Sequence, residues 1–266
     1  MIAVCIATYN HERFIAQAIE SVLAQECEQP ICLYIGDDAS TDGTEAVCRA
    51  YAAKDERIAY LRREKNMGLV DNTLDLYRLI LKDGCAYVAM LDGDDYWSDT
   101  RKLQSQIDYL DTHPEVGFVH TAAYDEIDGR LVDVDGPDKP VGNLRMRYNL
   151  IGAQHTNCTV LFRSQLLKEQ DLDDLQQQHF PVLDYPLYGI FSQYTQFGYI
   201  HSYTAVWRRH ASVSNPMKWR TYIHYKKERI RMWKWLDAHF QNRFHYSKMD
   251  AIKWLSNAII AFFLKK

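Results

Sequence analysis

The sequence predicts an α/β fold in which helices cover both faces of a mostly parallel sheet, with a helical appendage at the C-terminal end. In the first half of the chain, short and almost continuous apolar runs alternate with segments that have the periodicity of amphipathic helices. Strands that are buried on both faces have such runs, and helices between them connect the strands in parallel. The 266 residues, of which 47% are hydrophobic, suffice for one large domain with a buried core.

The first half of the chain contains four predicted strands and three predicted helices. The strands are expected at 2–7, 31–35, 58–61 and 87–91, and the helices at 14–23, from 44 onward and at 70–81. Three polar segments follow strands, namely Thr8-Tyr9-Asn10, DDASTDGT at 37–44 and LDGDD at 91–95. Because ligands of such Rossmann-like sheets bind beyond the carboxyl ends of the strands, we expect the three segments to face one crevice.

The rhythm changes after residue 95. We predict a helix at 102–113, a strand at 116–122, a strand at 158–163, a helix after 184 and a strand at 198–207. The stretch 125–142 is rich in turn residues, and residues 133–143 predict a mobile loop that closes over the crevice.

A basic, aromatic and helical tail at 217–266 is predicted to follow the α/β domain at 1–216. The chain has a net charge of −4, yet residues 218–266 hold twelve Lys and Arg against three Asp and Glu. An acidic body with a basic tail argues against nucleic-acid binding. The apolar stretch 254–264 has only eleven residues, whereas a membrane span takes roughly twenty. Two interpretations stay open: the tail lies on an anionic membrane surface, or its aromatic residues pack against the domain or against a second copy of the chain.

The cysteines and the N-terminal segment predict a cytoplasmic protein. The six cysteines form no C-x-x-C pair and lie mostly in apolar runs, as expected of reduced, packed thiols. Residues 1–7 have no basic leader and no cleavage site, so we interpret them as a strand and not as a signal peptide. A tail bound to lipid would make the protein peripheral at the inner face of the cell membrane.

The LDGDD segment places three carboxylates within four residues after an apolar strand: Asp92, Asp94 and Asp95. Repulsion and desolvation disfavour this crowding unless a cation or hydrogen bonds compensate for it. Carboxylates beside a diphosphate are the usual protein ligands of Mg²⁺ or Mn²⁺. The alternative is a plain acidic turn that bends at Gly93, but the position after a buried strand favours a metal.

The DDASTDGT segment combines two chemistries. Asp37 or Asp38 can accept a hydrogen bond from a nucleobase imide or a ribose hydroxyl, and we expect ligand contact from Asp38. Ser40, Thr41 and Asp42 are expected to cap the following helix. The alternative is that every polar residue of the segment serves only as a cap.

These segments resemble the successive signatures of the family-two inverting glycosyltransferases, which have the GT-A fold. TYN at 8–10, SVLAQ at 21–25, DDASTDGT, N-x-G at 66–68 and LDGDD occur in the order and spacing of that family. YIHSYTAVWRRHASVSN at 199–215 is similar to the strand-then-loop ending of the family. As a set the motifs are highly specific, although each alone is weak.

The resemblance implies a site for a nucleotide-sugar donor, in particular a UDP-sugar, in domain 1–216. Asp38 contacts the uracil, the TYN segment lines the base pocket, and Gly68 forms a turn that suits a backbone permissive at positive φ. The residues placed on the donor are Thr8, Tyr9, Asn10, Asp38, Gly68, Asp92, Asp94 and Arg209.

The resemblance also implies a divalent metal, Mn²⁺ or Mg²⁺, held by Asp94 and Asp95. In several relatives a histidine at the position of His210 reaches the metal or the diphosphate; the alternative is an exposed loop histidine. Arg208 or Arg209 neutralises the leaving diphosphate, or the pair faces solvent.

The catalytic base that matches the family is Asp184, in FPVLDYPLYGIF. An inverting transfer needs a carboxylate that takes the proton of the acceptor hydroxyl. The alternative is that Asp184 only caps the following helix. The polar patch at 152–157 lies where relatives contact the donor sugar or the acceptor, and the missing Q-x-x-R-W motif of processive synthases favours a distributive enzyme.

The function that the resemblance implies is metal-dependent transfer of a sugar, with inversion, to the hydroxyl of a saccharide or lipid-linked saccharide, in the synthesis of cell-surface polysaccharide or glycoconjugate. A nucleotidyltransferase would need a glycine-rich phosphate loop after the first strand, and a dinucleotide dehydrogenase would need G-x-G-x-x-G there. The chain has TYNHERF at that place. A catalytically silent protein that binds a glycan or nucleotide on the same fold remains the alternative.

Overall fold

The structure, a computed structural model, describes residues 1–133, 156–209, 219–243 and 246–264. Within these ranges nine strands form one sheet with the order β3-β2-β1-β4-β8-β6-β9-β5, and β7 pairs with β6. The strands are β1 Ile2–Thr8, β2 Ile31–Asp37, β3 Ile58–Arg62, β4 Tyr87–Asp92, β5 Tyr96–Trp97, β6 Val116–Ile127, β7 Arg130–Val132, β8 Leu161–Arg163 and β9 Gln196–Arg208. The predicted loop at 133–143, apart from Asp133, and His210 lie outside the described residues.

The helices follow the predicted alternation closely. They are α1 Ile15–Leu23, α2 Thr44–Ala52, α3 Leu69–Lys82, α4 Lys102–Thr112, α5 Glu169–Gln178, α6 Asp184–Tyr194, α7 Trp219–His239 and α8 Lys248–Leu264. The apolar residues of α1 recur at helical spacing, and Ile15, Ala18, Ile19 and Val22 are the buried ones.

The first four strands form the parallel half of the sheet, as predicted. β1 lies between β2 and β4 and is buried along its whole length. Thr8 is paired with Asp37 of β2, and Ala7 is paired with Asp92 of β4. The carboxyl ends of these three strands, and the polar segments that follow them, therefore lie side by side.

The second half of the sheet is mixed. β8 is antiparallel to both β4 and β6, whereas β6 and β9 are parallel. The strand predicted at 158–163 is too long at its start, because Asn157–Thr159 form a 3₁₀ turn and the strand itself comprises Leu161–Arg163. The hydroxyl of Thr159 donates to the carbonyl of Thr156 and stabilises that turn.

The strand predicted at 116–122 is too short. β6 continues to Ile127 and returns as β7 through Asp128 and Gly129, which have φ values of 50° and 73°. Two central residues with positive φ are typical of a type I′ hairpin, and Asp-Gly is one of its preferred sequences. The Asp128-Gly129 dipeptide could have predicted this hairpin, for which the general richness of 125–142 in turn residues was not specific enough.

The sheet has a hydrophobic cluster on each face. On one face the core contains buried residues of α1, α2 and α4, among them Ile19, Cys48 and Leu103. On the other face it contains residues of α3, α6 and α7, among them Leu76 and Phe191. All six cysteines are free, and four of them are buried. Helices on both faces and packed thiols agree with the predicted sandwich.

The first helix of the predicted tail, α7, is packed into the second of these clusters. Met232 and Leu236 are fully buried there, and Trp233 is 7% exposed. This packing is the second of the two interpretations of the tail, in which aromatic residues contact the domain. Among the described residues, no helix combines the length and the apolar character needed to cross a membrane. The domain boundary at 216 stays a prediction.

If α7 belongs to the core, Leu236→Ala should cost about 2–5 kcal/mol of unfolding free energy, because a buried side chain is replaced by a cavity. Ile252 on α8 is 51% exposed, so Ile252→Ala serves as the matched control with a change within about 0.5 kcal/mol. Urea unfolding of both variants gives the comparison. Equal losses in the two variants would show that α7 is not part of the core.

Candidate active site

The site is built where the carboxyl ends of β1, β2 and β4 meet. Gly93 allows the loop after β4 to approach the loop after β1. A Cβ atom on Gly93 would lie 2.6 Å from the Thr8 hydroxyl and 2.7 Å from Nδ1 of His11, closer than such atoms approach in proteins. The hydroxyl of Thr8 and Nδ1 of His11 are themselves hydrogen-bonded at 3.1 Å. The bend predicted at Gly93 thus serves a close contact between two loops.

Two adjoining cavities open at this edge of the sheet. The larger cavity, of about 410 Å³, is lined by Ala7, Thr8, Tyr9, His11, Asp38, Asn66, Gly68, Leu69 and Asn72. The smaller cavity, of about 150 Å³, is lined by Ala7, Leu69, Thr73, Tyr77, Met90, Asp92, Asn157, Val182, Leu183 and Asp184. Because Ala7 and Leu69 line both, a ligand in the larger cavity can extend into the smaller one.

Four of the predicted donor residues line the larger cavity: Thr8, Tyr9, Asp38 and Gly68. Asn10 is not among its lining residues. With φ at 56°, Asn10 turns its amide oxygen to the backbone N–H of Thr41, 2.8 Å away, and its own N–H donates to the hydroxyl of Ser40. Asn10 therefore ties the loops after β1 and β2 together.

Asp38 fixes the turn that begins α3. Its two carboxylate oxygens accept the backbone N–H groups of Met67 and Gly68 at 2.7 and 2.8 Å. Gly68 has φ 90° and ψ 156°, a backbone conformation that a side chain would strain. Each carboxylate oxygen of Asp38 keeps a lone pair that a ligand N–H can use.

The neighbouring acid, Asp37, is buried and is hydrogen-bonded within the protein. Its carboxylate accepts the N–H of Ser40 and the hydroxyl of Tyr60. Of the residues predicted to cap α2, Asp42 accepts the N–H of Thr44 at 3.0 Å. The capping role predicted for Ser40 and Thr41 is wrong, because both are bonded to Asn10.

Asp92 points into the smaller cavity and accepts two hydrogen bonds of 3.1 and 3.2 Å from the amide of Asn157. The amide oxygen of Asn157 in turn accepts the hydroxyl of Tyr188 at 2.7 Å. Burial raises the pKa of Asp92 to about 7, with further contributions from the negative charges of Asp94 and Asp184. The protonated and the ionised forms of Asp92 are therefore both populated near neutral pH.

Asp94 and Asp95 occupy different surroundings. Asp95 is 1% exposed and accepts the backbone N–H of Arg208 at 2.9 Å. Burial, together with the charges of Asp92 and Asp94, raises the pKa of Asp95 well above its usual range. Asp94 is more accessible, and its carboxylate lies 3.8 Å from Nε2 of His11. Asp94 is thus the better placed of the two to reach a bound ligand.

The donor set fits a hard divalent cation. Carboxylate oxygens are the protein ligands that Mg²⁺ and Mn²⁺ prefer, and the end of β4 with the loop after it carries three carboxylates, those of Asp92, Asp94 and Asp95. In the part of the chain that the structure describes, no three His, Cys, Asp or Glu side chains form a ready metal cage. Mg²⁺ itself needs only one or two carboxylates besides water and phosphate.

The two consecutive arginines have separate roles. Arg208 is buried; its guanidinium donates to the carbonyl of Asp94 and to the side chain of Gln17. Arg209 pairs with Asp125 at 2.6 Å and stacks on Trp207, and it lines neither cavity. Arg208 therefore supports the acidic loop, whereas the predicted donor residue Arg209 is not brought to the cavities.

Asp184 is the first residue of α6 and faces Asp92 across the smaller cavity. Burial raises its pKa, although the backbone N–H of Tyr185 and the charge of Arg229 act in the opposite direction. The helix cap is Leu183, and no side chain makes a cap hydrogen bond there. Because the carboxylate of Asp184 accepts the backbone N–H of Tyr185 in the first turn of α6, helix capping and catalysis both stay open as roles of Asp184.

Several residues of the site were not assigned from the sequence. His11 directly follows the TYN segment, Asn66 belongs to the N-x-G motif, and Asn157 ends the polar patch at 152–157. Each of them is therefore in or next to a motif that the sequence had already indicated. Tyr188 lay in a helical, apolar run that gave no indication of a polar contact. Residues 152–155 of the patch lie outside the described part of the chain.

Comparisons with known proteins agree with this geometry. Residues 3–167 match the family described as Glycosyl transferase family 2. Protein Rv1520 of Mycobacterium tuberculosis (strain ATCC 25618 / H37Rv) is 31% identical over 208 residues, which cover 77% of this chain and 57% of that protein. The chain thus spans little more than half the length of this relative.

Two solved glycosyltransferase structures have a similar fold. TarS of S. aureus, in complex with UDP-GlcNAc, has a TM-score of 0.62 at 18% identity, over 98% of this chain and 80% of that chain. The mannosyltransferase PcManGT from Pyrobaculum calidifontis, in complex with GDP-Man and Mn²⁺, has a TM-score of 0.58 at 16% identity, over 98% and 74%.

The fold is the GT-A fold, as the resemblance implied: a curled, mixed sheet between helices with the site at the ends of β1, β2 and β4. The chain belongs to glycosyl transferase family 2.

The close approach at Gly93 gives a direct test of the site geometry. Gly93→Ala should lower the unfolding free energy by about 1–3 kcal/mol, because Thr8 and His11 must give way to the added methyl group. Gly43→Ala is the control: there the added group meets only the end of the exposed Glu12 side chain, so we expect a loss of about 1 kcal/mol or less. Chemical denaturation measures both; a control as unstable as Gly93→Ala would contradict the proposed contact.

Proposed function

We propose that this protein transfers a sugar from a nucleotide-sugar donor, in particular a UDP-sugar, to an acceptor hydroxyl with inversion. One observation carries the proposal: the larger cavity, lined by Asp38, adjoins the smaller cavity, which holds Asp184. A donor whose base lies beside Asp38 would thereby present its sugar to Asp184. Membership in glycosyl transferase family 2 and the nucleotide-sugars bound by TarS and PcManGT support the same function.

The base of the donor is assigned to the larger cavity. The remaining lone pairs of the Asp38 carboxylate can accept the N3–H of uracil while the carboxylate still holds the turn at Gly68. Tyr9 is 42% exposed at the same cavity and offers a ring on which a base can stack.

The diphosphate is assigned to the acidic loop, with a divalent cation, Mn²⁺ or Mg²⁺, held by Asp94. Asp95, which is buried next to Asp94, is the proposed second ligand. His210 remains a proposed third ligand that follows from the resemblance. When bound, the cation supplies positive charge that stabilises the departing nucleoside diphosphate. Arg208 keeps the loop in place through the carbonyl of Asp94 and the carboxylate of Asp95.

Asp184 is the proposed general base. Its side chain is partly exposed to the smaller cavity, and burial raises its pKa toward the range in which a carboxylate accepts and releases protons readily. Deprotonated Asp184 takes the proton of the acceptor hydroxyl as that oxygen attacks the anomeric carbon in a single displacement. The products are the inverted glycoside, the nucleoside diphosphate and protonated Asp184.

The acceptor is proposed to be a saccharide or a lipid-linked saccharide. The helix α8 exposes Met249 and Ile252, and the tail is basic, so contact with an anionic membrane surface or with a second copy of the chain remains part of the proposal.

The function is tested by the release of nucleoside diphosphate from a panel of UDP-, GDP- and dTDP-sugars with and without Mn²⁺. We expect release from UDP-sugars that requires the metal, and Asp94→Asn should reduce this metal-dependent release at least about tenfold, since one ligand charge is lost. Binding of UDP without any release would instead support the catalytically silent alternative, and tighter binding of GDP than of UDP would contradict the role of Asp38.

Asp184→Asn should reduce sugar transfer by about two to four orders of magnitude, because the amide keeps the shape of the carboxylate but cannot take the proton. The dissociation constant for UDP, measured by titration calorimetry, should stay unchanged. An equal loss of binding and of rate would mark Asp184 as a structural residue.

A further inference from the structure

We propose that Arg229 of the C-terminal helix α7 is a positioning residue of the active site, which holds the start of α6 and places a fixed positive charge against the residue that follows Asp184. The inference rests on the role of Asp184 proposed above. It assigns to the tail a part in the reaction that its basic, aromatic composition did not indicate.

The geometry places Arg229 at the beginning of α6. Its guanidinium carbon lies 4.0 Å from the centre of the Tyr185 ring, and Tyr185 is the residue after Asp184. One guanidinium nitrogen donates to the hydroxyl of Tyr225, one turn earlier on α7, at 3.1 Å. Tyr185 is 3% exposed, so the cation lies against a buried ring, and the residue before it, Asp184, lines the smaller cavity.

The position of this guanidinium is fixed by packing. α7 packs against α6, and Met232 and Leu236, on the same helix as Arg229, are fully buried in the core that α6 also enters. A stacked and hydrogen-bonded arginine on such a helix has few alternative positions. The charge is therefore held against the ring of Tyr185, the residue that follows Asp184.

Titratable groups from four elements act on or around Asp184. They are Asp92 of β4, Tyr77 of α3, Tyr185 and Tyr188 of α6, and Arg229 of α7. Burial favours the protonated form of Asp184, and the tyrosines are neutral at ordinary pH because burial raises their pKa. Arg229 is the cation of this group and lowers the pKa of Asp184.

The sign of the effect follows directly. Without the positive charge, the carboxylate is less stable relative to the carboxylic acid, so the pKa of Asp184 rises further. At a given pH a smaller fraction of the protein then holds the base in its active form. The acid limb of the rate profile moves to higher pH, while the rate at high pH is kept.

The test is a carboxyl ¹³C NMR titration of protein labelled at aspartate, in which Asp184→Asn identifies the resonance of Asp184 by its disappearance. In Arg229→Gln the midpoint of Asp184 should move to a pH about one unit higher, and in Arg229→Lys it should stay near that of the parent protein. Arg231→Gln is the control, since Arg231 lies on the same helix but donates to the carbonyls of Gln178 and His179. The acid limb of UDP release should shift in parallel.

An unchanged midpoint in Arg229→Gln overturns the inference, and so does an equal shift in Arg231→Gln. If Arg229→Gln does not fold, Arg229→Lys decides: a shifted midpoint in this charge-preserving variant contradicts the inference. The titration needs no substrate, so failure of the proposed function is recognised separately, by full activity of Asp184→Asn alongside a normal shift in Arg229→Gln.

Discussion

The parallel pairing of β1 with β2 and β4 is the constraint on which the rest of the site depends. The register opposes Thr8 to Asp37 and Ala7 to Asp92, so the three polar segments that follow these strands begin at one level. Gly93 then lets two of the loops touch. A shift of one residue in either pairing would turn the side chains at the strand ends to the opposite face and separate the carboxylates from the cavities.

The same constraint concentrates negative charge. Burial raises the pKa of Asp92 and of Asp95, and nearby negative charge adds to it: Asp94 acts on Asp92, and both Asp92 and Asp94 act on Asp95. The protein compensates in part with neutral or backbone donors, such as the amide of Asn157 and the N–H of Arg208. Crowded carboxylates are also stabilised by a cation, which is the physical link between this acidic loop and its proposed function.

The packing of α7 changes how the C-terminal segment is understood. A basic and aromatic tail is typical of a surface-binding appendage, yet Trp233, Met232 and Leu236 contribute to the same core as the helix that carries Asp184. Helix α7 therefore packs against α6 and also carries Arg229, whose charge lowers the pKa of Asp184 at the start of α6. The tail thus contributes apolar side chains to the core and, from the neighbouring turn, the guanidinium of Arg229 that lies on the Tyr185 ring.

Tyr188, Asn157 and Asp92 show how the site is shared between distant segments. Tyr188 belongs to α6, Asn157 to the 3₁₀ turn before β8, and Asp92 to the end of β4. The three residues form a hydrogen-bonded row, of which Asn157 and Asp92 line the smaller cavity. Asn157 donates to the carboxylate and accepts from the phenol, so its amide orientation is determined by both neighbours.

The sequence by itself determined the alternation of strands and helices, the parallel half of the sheet, the three polar segments at strand ends and the family. These features are local, because burial of one or both faces of a helix or strand sets the spacing of apolar residues along that segment. Tertiary structure alone decided that Asn10 ties two loops together and that Arg208 supports the acidic loop. It also brought Arg229 of the tail onto the ring of Tyr185. Such roles depend on contacts between residues far apart in the chain, and these contacts are set by how whole elements pack, for which no local pattern exists.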